Sequence, residues 1–143
     1  MAGPQFFTPP GVTPSRPKRR FTLAQANKSL PLVRRIVQDI VKMHQRATIL
    51  QASLELPSPI KQRNTAEEEL EAALERLQDL VDELSGVGCE LKDYQMGLVD
   101  FIGRHQGRDV YLCWKLGEAA IAYWHELQTG FAGRQPVSSL QED

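Results

Sequence analysis

Two long segments of this sequence carry apolar residues at alternating spacings of three and four, which is the repeat of a helix with one apolar stripe. The first stripe consists of Val33, Ile36, Ile40, Met43, Ala47, Leu50 and Leu54. The second stripe consists of Ala66, Leu70, Ala73, Leu77, Leu80 and Leu84. Because a short connection favours antiparallel neighbours, the sequence predicts a helical hairpin of the coiled-coil type over residues 22–86.

The first arm of this hairpin has a marked start and an expected interruption. Thr22 and Gln25 have the spacing of a capping box, in which each side chain satisfies a backbone N–H group at a helix start. Proline removes a hydrogen bond from a helix interior but is tolerated at the first helical position. We therefore expect a short helix near residues 22–29 and a long helix that begins at about Pro31.

The second arm has its own end signals and the opposite charge. A capping box that begins at Thr65 predicts its start, and Ser85-Gly86 predicts its end, because glycine commonly follows the last helical turn. Residues 22–56 carry five bases and two acids, whereas residues 65–85 carry eight acids and one base. This difference in charge favours the pairing of the two arms.

The apolar period changes from helical to strand-like after Gly88. Residues 98–102 and 110–114 are rich in β-branched and aromatic side chains, and the glycine-containing segment 103–107 is typical of a hairpin loop. Residues 121–125 mix helix-favouring alanines with strand-favouring aromatic residues, and we favour a third strand there. The sequence thus predicts an α+β fold, in which a long antiparallel two-helix hairpin precedes a small antiparallel β-hairpin or three-stranded sheet.

Both ends of the chain differ in composition from the segment between them. Residues 1–20 hold five prolines, four basic residues and no acid, a composition that predicts a disordered tail. Residues 138–143 are expected to fray. Since the length of the chain is typical of one domain, we expect a single α+β domain over residues 21–137, with its β-rich part at residues 89–137.

Charge and composition argue against several classes of function. The net charge of −1 argues against nucleic acid as a main partner. No apolar stretch approaches the roughly 20 residues that span a bilayer, and the N-terminus lacks a secretory signal. Two cysteines, Cys89 and Cys113, without a CxxC pattern indicate reduced thiols in a cytoplasmic protein. Known catalytic and nucleotide-binding motifs are absent, which weakens the case for an enzyme.

Residues 97–136 hold the side chains with the greatest capacity for chemistry. Cys113, His125 and Asp100 offer the thiolate, imidazole and carboxylate groups that bind zinc and related divalent metals. A third strand paired with the strand of Cys113 could bring His125 within reach. No cofactor is predicted outright, and a divalent metal such as zinc is the alternative that these residues leave open. A buried structural thiol and a structural histidine–carboxylate pair are the simpler interpretations.

A second set of residues in the same segment is suited to a small ligand. This set is Asp100, Trp114, Glu118, Trp124 and Arg134. Asp100 lies in an otherwise apolar strand, where a carboxylate needs a cation, and we expect it to pair with the planar guanidinium of Arg134. The two tryptophans have a simpler alternative as part of the hydrophobic core. We expect His105, which falls in the predicted loop, to be exposed to solvent.

A series of short motifs runs along the chain and carries a family resemblance. The series comprises Phe21-Thr22-Leu23, Leu30-Pro31-Leu32-Val33, Gly97-Leu98-Val99-Asp100-Phe101, Leu112-Cys113-Trp114, Gly117-Glu118, Trp124-His125 and Gly130-Phe131-Ala132-Gly133-Arg134. With these motifs the chain resembles an uncharacterised bacterial family, catalogued as domain of unknown function 2203, over about residues 21–137. The resemblance implies one domain of that extent and no established activity.

The apolar residues beside the two stripes lead to the functional predictions. Val37, Val41, Leu74 and Val81 would stay uncovered in a lone hairpin, and an exposed apolar patch of this kind usually marks an interface. The leading prediction is therefore a non-catalytic interaction or scaffold protein that forms a homodimer through its helical hairpin. The rival prediction is a metal-binding or small-molecule-binding protein with its site in residues 97–136, and an enzyme is one form that such a protein could take. A weaker alternative is an RNA-associated factor.

Overall fold

The computed structural model describes residues 19–142, which fold as a helical hairpin followed by a five-stranded antiparallel sheet. The helices are α1 (Leu23–Ser53) and α2 (Ile60–Val87). The strands are β1 (Glu90–Asp93), β2 (Leu98–His105), β3 (Arg108–Lys115), β4 (Tyr123–His125) and β5 (Gln135–Pro136). The predicted α+β class is confirmed, with more strands than the two or three expected. Within the described residues, neither helix combines the length and apolarity that crossing a membrane requires. Residues 1–18, most of the predicted disordered tail, lie outside the described residues.

Helix α1 begins at the predicted capping box but continues through Pro31 without a break. The hydroxyl of Thr22 accepts a hydrogen bond from the backbone N–H of Gln25, whose side chain accepts one from the N–H of Thr22. The expected interruption was wrong for an energetic reason. An interior proline costs about 3 kcal/mol, and the burial of Leu30 and Val33 on either side of it, at about 1.5–3 kcal/mol each, offsets that cost.

Helix α2 is longer than predicted at both ends. It begins at Ile60 rather than at Thr65, whose hydroxyl donates to the carbonyl of Lys61 inside the helix. Gly86 is helical, and the helix is closed by Gly88, whose φ of 113° is left-handed. A helix ends most easily where glycine adopts this conformation. Gly88, and not Gly86, therefore sets the C-terminal end of α2.

Strands β2 and β3 form a hairpin whose turn is shorter than predicted. Gln106 and Gly107 have φ values of 50° and 80°, as the favoured two-residue hairpin turn requires. The strands consequently extend through most of the predicted loop, and Gly103 lies within β2. A Cβ atom at Gly103 would lie only 2.8 Å from Cγ of Leu112. The glycine that suggested a loop instead permits the close approach of a core side chain.

One face of the sheet packs against the helices and forms the hydrophobic core. The strands supply Val99, Phe101, Val110, Leu112, Trp114 and Trp124. The helices supply Val33, Val37, Ile40, Leu77, Leu80, Val81 and Leu84. Val37 and Val81 were expected to lie exposed at a dimer interface. That expectation was wrong, because the sequence pattern does not show that the chain's own sheet covers this side of the hairpin.

The end of the hairpin nearest its connecting loop has a separate small cluster, built from the two helices alone. This cluster joins Ala47, Leu50 and Ala73. Close to the connecting loop, Ile49, Leu56 and Ile60 are 63%, 65% and 70% exposed. The loop end of the hairpin therefore presents apolar side chains to solvent.

Residues 138–142 are tied to the sheet. Ser139 Oγ accepts a hydrogen bond from Trp124 Nε1 at 2.9 Å, and the Gln141 N–H donates to His105 Nδ1 at 3.0 Å. The expected fraying was therefore wrong for these residues. A tail that satisfies buried side-chain groups of the sheet is held in place, whatever its own composition.

Candidate metal centre

The face of the sheet that is turned away from the helices carries polar side chains. Side chains alternate between the two faces along a strand. Since Val99 and Phe101 of β2 point into the core, Asp100 lies on the opposite face. The strand pairing places Cys113 of β3 and His125 of β4 on that same face, which we call the outer face.

The register of the sheet brings these three polar side chains together. Asp100 and Cys113 lie directly opposite each other across β2 and β3, and His125 lies opposite Tyr111 on the next strand. The carboxylate, thiol and imidazole ligand atoms all lie within 4.8 Å of one another. The exposed fractions of Asp100, Cys113 and His125 are 3%, 0% and 2%. The three residues that the sequence offered as metal ligands thus form one buried group, which we call the outer-face cluster.

The backbone fixes the orientation of the His125 ring. Its Nδ1 atom lies 2.7 Å from the carbonyl oxygen of Glu126, and because a carbonyl can only accept, Nδ1 carries a proton. The other nitrogen, Nε2, lies 3.3 and 3.2 Å from the two carboxylate oxygens of Asp100. In the metal-free protein, a second proton on Nε2 makes an imidazolium–carboxylate pair. With that proton removed, the lone pair of Nε2 is directed at the cluster.

Burial and neighbouring charges shift the acidity of two members of the cluster. Burial lowers the pKa of His125, but hydrogen bonds to the Asp100 carboxylate and the Glu126 carbonyl outweigh burial and raise the pKa above its ordinary value. Burial, and then the negative charge of Asp100, raise the pKa of the Cys113 thiol to about 12. The cluster therefore holds a protonated thiol, and its surroundings favour the imidazolium form of His125 more than water does. Cys113 is not prepared as a thiolate nucleophile.

Three further side chains form the rim of the outer-face cluster on the side of β1. Glu90 lies opposite Asp100 in register and is buried, with its carboxylate 2.7 Å from Lys92 Nζ. The Tyr111 hydroxyl donates to the same carboxylate at 3.4 Å, and the Tyr111 ring centroid lies 5.4 Å from that of His125. Lys92 Nζ lies 4.8 Å from the centroid of the Tyr111 ring. The two charged residues of the rim, Glu90 and Lys92, thus neutralise each other beside the cluster.

Sequence reasoning missed Glu90, Lys92 and Tyr111 as neighbours of the cluster. The alternation of Glu90, Leu91 and Lys92 was an available signal, since polar and apolar residues alternate in a half-buried strand. The strand is only four residues long and follows a helix directly, so its pattern is brief. The sequence does not show which strand pairs with β1, and without that partner Glu90 could not be placed beside Asp100.

The predicted ion pair between Asp100 and Arg134 was wrong in both partners. Asp100 pairs with His125, whereas Nη2 of Arg134 donates to the Glu118 carboxylate at 2.6 Å. The Arg134 guanidinium also lies over the ring of Tyr123, 4.0 Å from its centroid. Glu118 follows the end of β3 closely and is therefore fixed beside the returning loop. Chain geometry, and not the type of charge, selected the partner.

Trp114 and Trp124, which were predicted for a ligand site, lie on the core face of the sheet. Trp114 Nε1 donates to the Glu118 carbonyl at 2.9 Å, and Trp124 Nε1 donates to Ser139 Oγ at the same distance. Both rings are buried in the core, and the sheet separates them from Asp100. The five residues predicted for a single ligand site therefore do not converge.

His105 is buried, contrary to its expected exposure. Its ring packs on that of Trp124, with 4.4 Å between the centroids. Because the turn has two residues rather than five, His105 belongs to β2 and points to the core face. It takes no part in the outer-face cluster.

The comparisons with known proteins give a family and no activity. A family model matches residues 19–137, and its description is that of an uncharacterized conserved protein (DUF2203). Neither the curated proteins nor the solved structures contain a match to the chain. The matched segment includes both helices, all five strands and every residue of the outer-face cluster.

Proposed function

Because the chain belongs to the uncharacterized conserved family DUF2203, we propose a function from the site itself: the protein binds a divalent transition metal, such as zinc, through Asp100, Cys113 and His125. Thiolate, imidazole and carboxylate are the groups that zinc prefers. A reduced thiol ligand also fits the cytoplasm, where cysteines are kept reduced.

The observation that supports this proposal most strongly is the orientation of His125. Metal-binding histidines usually donate their second ring nitrogen to a carbonyl or carboxylate, which directs the other nitrogen at the metal. The Glu126 carbonyl performs this task at Nδ1, and Nε2 faces the carboxylate of Asp100. A purely structural histidine would need the same ion pair but no thiol beside it.

The distances within the cluster are compatible with a metal after a small contraction. With metal–ligand bonds of about 2.0–2.3 Å in tetrahedral geometry, two ligand atoms lie roughly 3.5 Å apart. The ligand atoms of the cluster are at most 4.8 Å apart, and Nε2 already lies 3.2 Å from a carboxylate oxygen. The bound metal would displace the thiol proton of Cys113 and the Nε2 proton of His125.

Metal analysis of untagged protein tests the proposal. After incubation with zinc and gel filtration, we expect wild-type protein to retain an equimolar amount of zinc, and Cys113→Ser and His125→Gln to retain far less. Cys89→Ser is the matched control, because Cys89 is also a buried cysteine but lies outside the cluster. Cobalt should give a thiolate charge-transfer band in wild-type protein and Cys89→Ser but not in Cys113→Ser. Wild-type protein that retains neither metal would overturn the proposal.

A second candidate function is self-association of the helical hairpin as a coiled-coil homodimer. It is favoured by the apolar residues Ile49, Leu56 and Ile60, which are exposed near the connecting loop. Light scattering at tens of micromolar should then give the mass of a dimer, and the double change Ile49→Ser with Ile60→Ser should give a monomer. Leu32→Ser, at an exposed position of α1 far from the loop, is the control. A wild-type monomer would rule this candidate out.

A further inference from the structure

Arg134 is held rigidly near the outer-face cluster. Its Nη2 atom donates to Glu118 at 2.6 Å, and its guanidinium lies over the rings of Tyr123 and Phe131, 4.0 and 4.7 Å from their centroids. The side chain is only 12% exposed. An arginine fixed by one ion pair and two aromatic contacts is preorganised to present its remaining donors.

One of those remaining donors is buried and unused. Nε of Arg134 has no hydrogen-bond partner among residues 19–142. Nearly all buried donors in native proteins are paired, and an unpaired one calls for an explanation. Because the ion pair with Glu118 uses Nη2, this buried N–H group is left without a hydrogen-bond acceptor within residues 19–142.

The strand register relates this donor to the outer-face cluster. Tyr123, the ring on which Arg134 stacks, lies directly opposite Cys113 in the pairing of β3 with β4. The Arg134 guanidinium lies 4.0 Å from the centroid of that ring, which places it beside the position of Cys113 on the outer face. Three protein ligands leave a tetrahedral metal with one open position, as in catalytic zinc sites.

We propose that this open position takes a small carboxylate, with one oxygen on the metal and the other accepting the Nε–H of Arg134. The inference rests on the proposed metal site. Charge counting favours a monoanion over a dianionic phosphate. A divalent metal with the Cys113 thiolate and the Asp100 carboxylate is neutral, and the nearby pairs Lys92–Glu90 and Arg134–Glu118 are neutral as well. Each additional negative charge in this partly buried place carries a desolvation cost.

Titration of cobalt-loaded full-length protein with acetate tests this inference. We expect acetate to change the visible cobalt spectrum in a saturable manner, and inorganic phosphate to change it much less. Arg134→Gln should bind cobalt but weaken acetate binding about 10- to 100-fold, the effect of losing a charge-assisted hydrogen bond. Arg108→Gln is the matched control, since Arg108 is also paired with a glutamate, Glu126, at 2.6 Å but lies at the start of β3, five residues before Cys113. Its acetate affinity should match that of the wild type.

The outcomes separate this inference from the metal site on which it rests. An acetate-insensitive spectrum in cobalt-loaded wild-type protein overturns the carboxylate site and leaves the metal site intact. Equal acetate affinity in wild-type protein and Arg134→Gln removes Arg134 from the site, and tighter binding of phosphate than of acetate refutes the choice of carboxylate. Failure of wild-type protein to bind cobalt overturns both proposals. The wild-type titrations with acetate and phosphate can refute the inference by themselves, even if Arg134→Gln does not fold.

Discussion

His125→Gln removes the cation from a buried carboxylate, and its cost in the metal-free protein can be worked out from the structure. Asp100 is 3% exposed and would keep only the Cys113 thiol as a side-chain donor in the cluster. Stranding one charge of a buried pair costs about 3–5 kcal/mol. Protonation sets an upper limit: neutralising an aspartate side chain of ordinary pKa, about 3.9, costs about 4 kcal/mol at pH 7. We therefore expect His125→Gln to lose about 3–4 kcal/mol at pH 7.

The reciprocal change, Asp100→Asn, should cost much less. The ordinary pKa of a histidine is 6.5, so a buried imidazole without its carboxylate loses its proton at pH 7 almost without cost. The loss is then limited to one buried hydrogen bond, about 1 kcal/mol. At pH 7 the stability costs of replacing the two members of this ion pair are thus expected to differ by about 2 kcal/mol or more.

Urea denaturation with a chelator present, at pH 7 and at pH 5, measures both costs. At pH 5 the cost of His125→Gln should fall to about 1.5 kcal/mol, because protonating a carboxylate becomes cheaper by about 1.4 kcal/mol per pH unit. The exposed pair Arg20–Asp109 provides the control, and Arg20→Gln should cost at most about 1 kcal/mol at either pH. Equal costs for His125→Gln and Asp100→Asn at pH 7, or a cost of His125→Gln that does not change with pH, would refute this account of the pair.

Three further predictions concern the cluster and the fold. Since the pKa of His125 is raised in the folded state, the pair contributes most stability below pH 6.5 and loses that contribution as the pH rises through the raised value. The stability difference between metal-free wild-type protein and Asp100→Asn should therefore shrink across that window in urea denaturation, and a difference that grows would contradict the assignment. Zinc binding should release about two protons while the imidazole is charged and about one at higher pH, as calorimetry in buffers of different ionisation enthalpy would report. Gly103→Ala should cost about 1–3 kcal/mol, because the new Cβ meets Leu112 at 2.8 Å. Gly86→Ala, whose Cβ meets nothing within 4 Å, should instead stabilise the helix by about 0.5–1 kcal/mol. Thermal denaturation measures the stability change of both glycine variants.

The helical hairpin could be predicted because its signals act within a few residues of each other. An apolar stripe reports the buried side of a helix, and the capping box of Thr22 and Gln25 is completed within a single turn. Pro31 shows where such local rules end. Its cost is local, but the burial that offsets this cost comes from side chains packed against other elements. Helix continuity there was decided by the tertiary structure.

The residue types of the candidate centre could also be read from the sequence, since thiol, imidazole and carboxylate are recognisable wherever they occur. Their convergence could not be read in the same way. A five-residue loop over residues 103–107 would place Asp100 opposite Val110. The two-residue turn at Gln106-Gly107 places it opposite Cys113 instead. Gly107 was the sequence signal for this register, because a two-residue hairpin turn needs residues that tolerate a positive φ.

The sequence by itself therefore determined the α+β class, the two helices and which side chains carry chemistry, because these depend on composition and on spacings along one element. The tertiary structure decided which groups meet. Asp100 pairs with His125, and Arg134 pairs with Glu118. The sequence could not predict these partners, because a strand pattern gives the face of each residue but not its neighbour on the next strand. Neighbours across a sheet depend on turn length and on the path by which the chain returns. Those are properties of the whole fold, and they alone turned three scattered residues into a buried cluster.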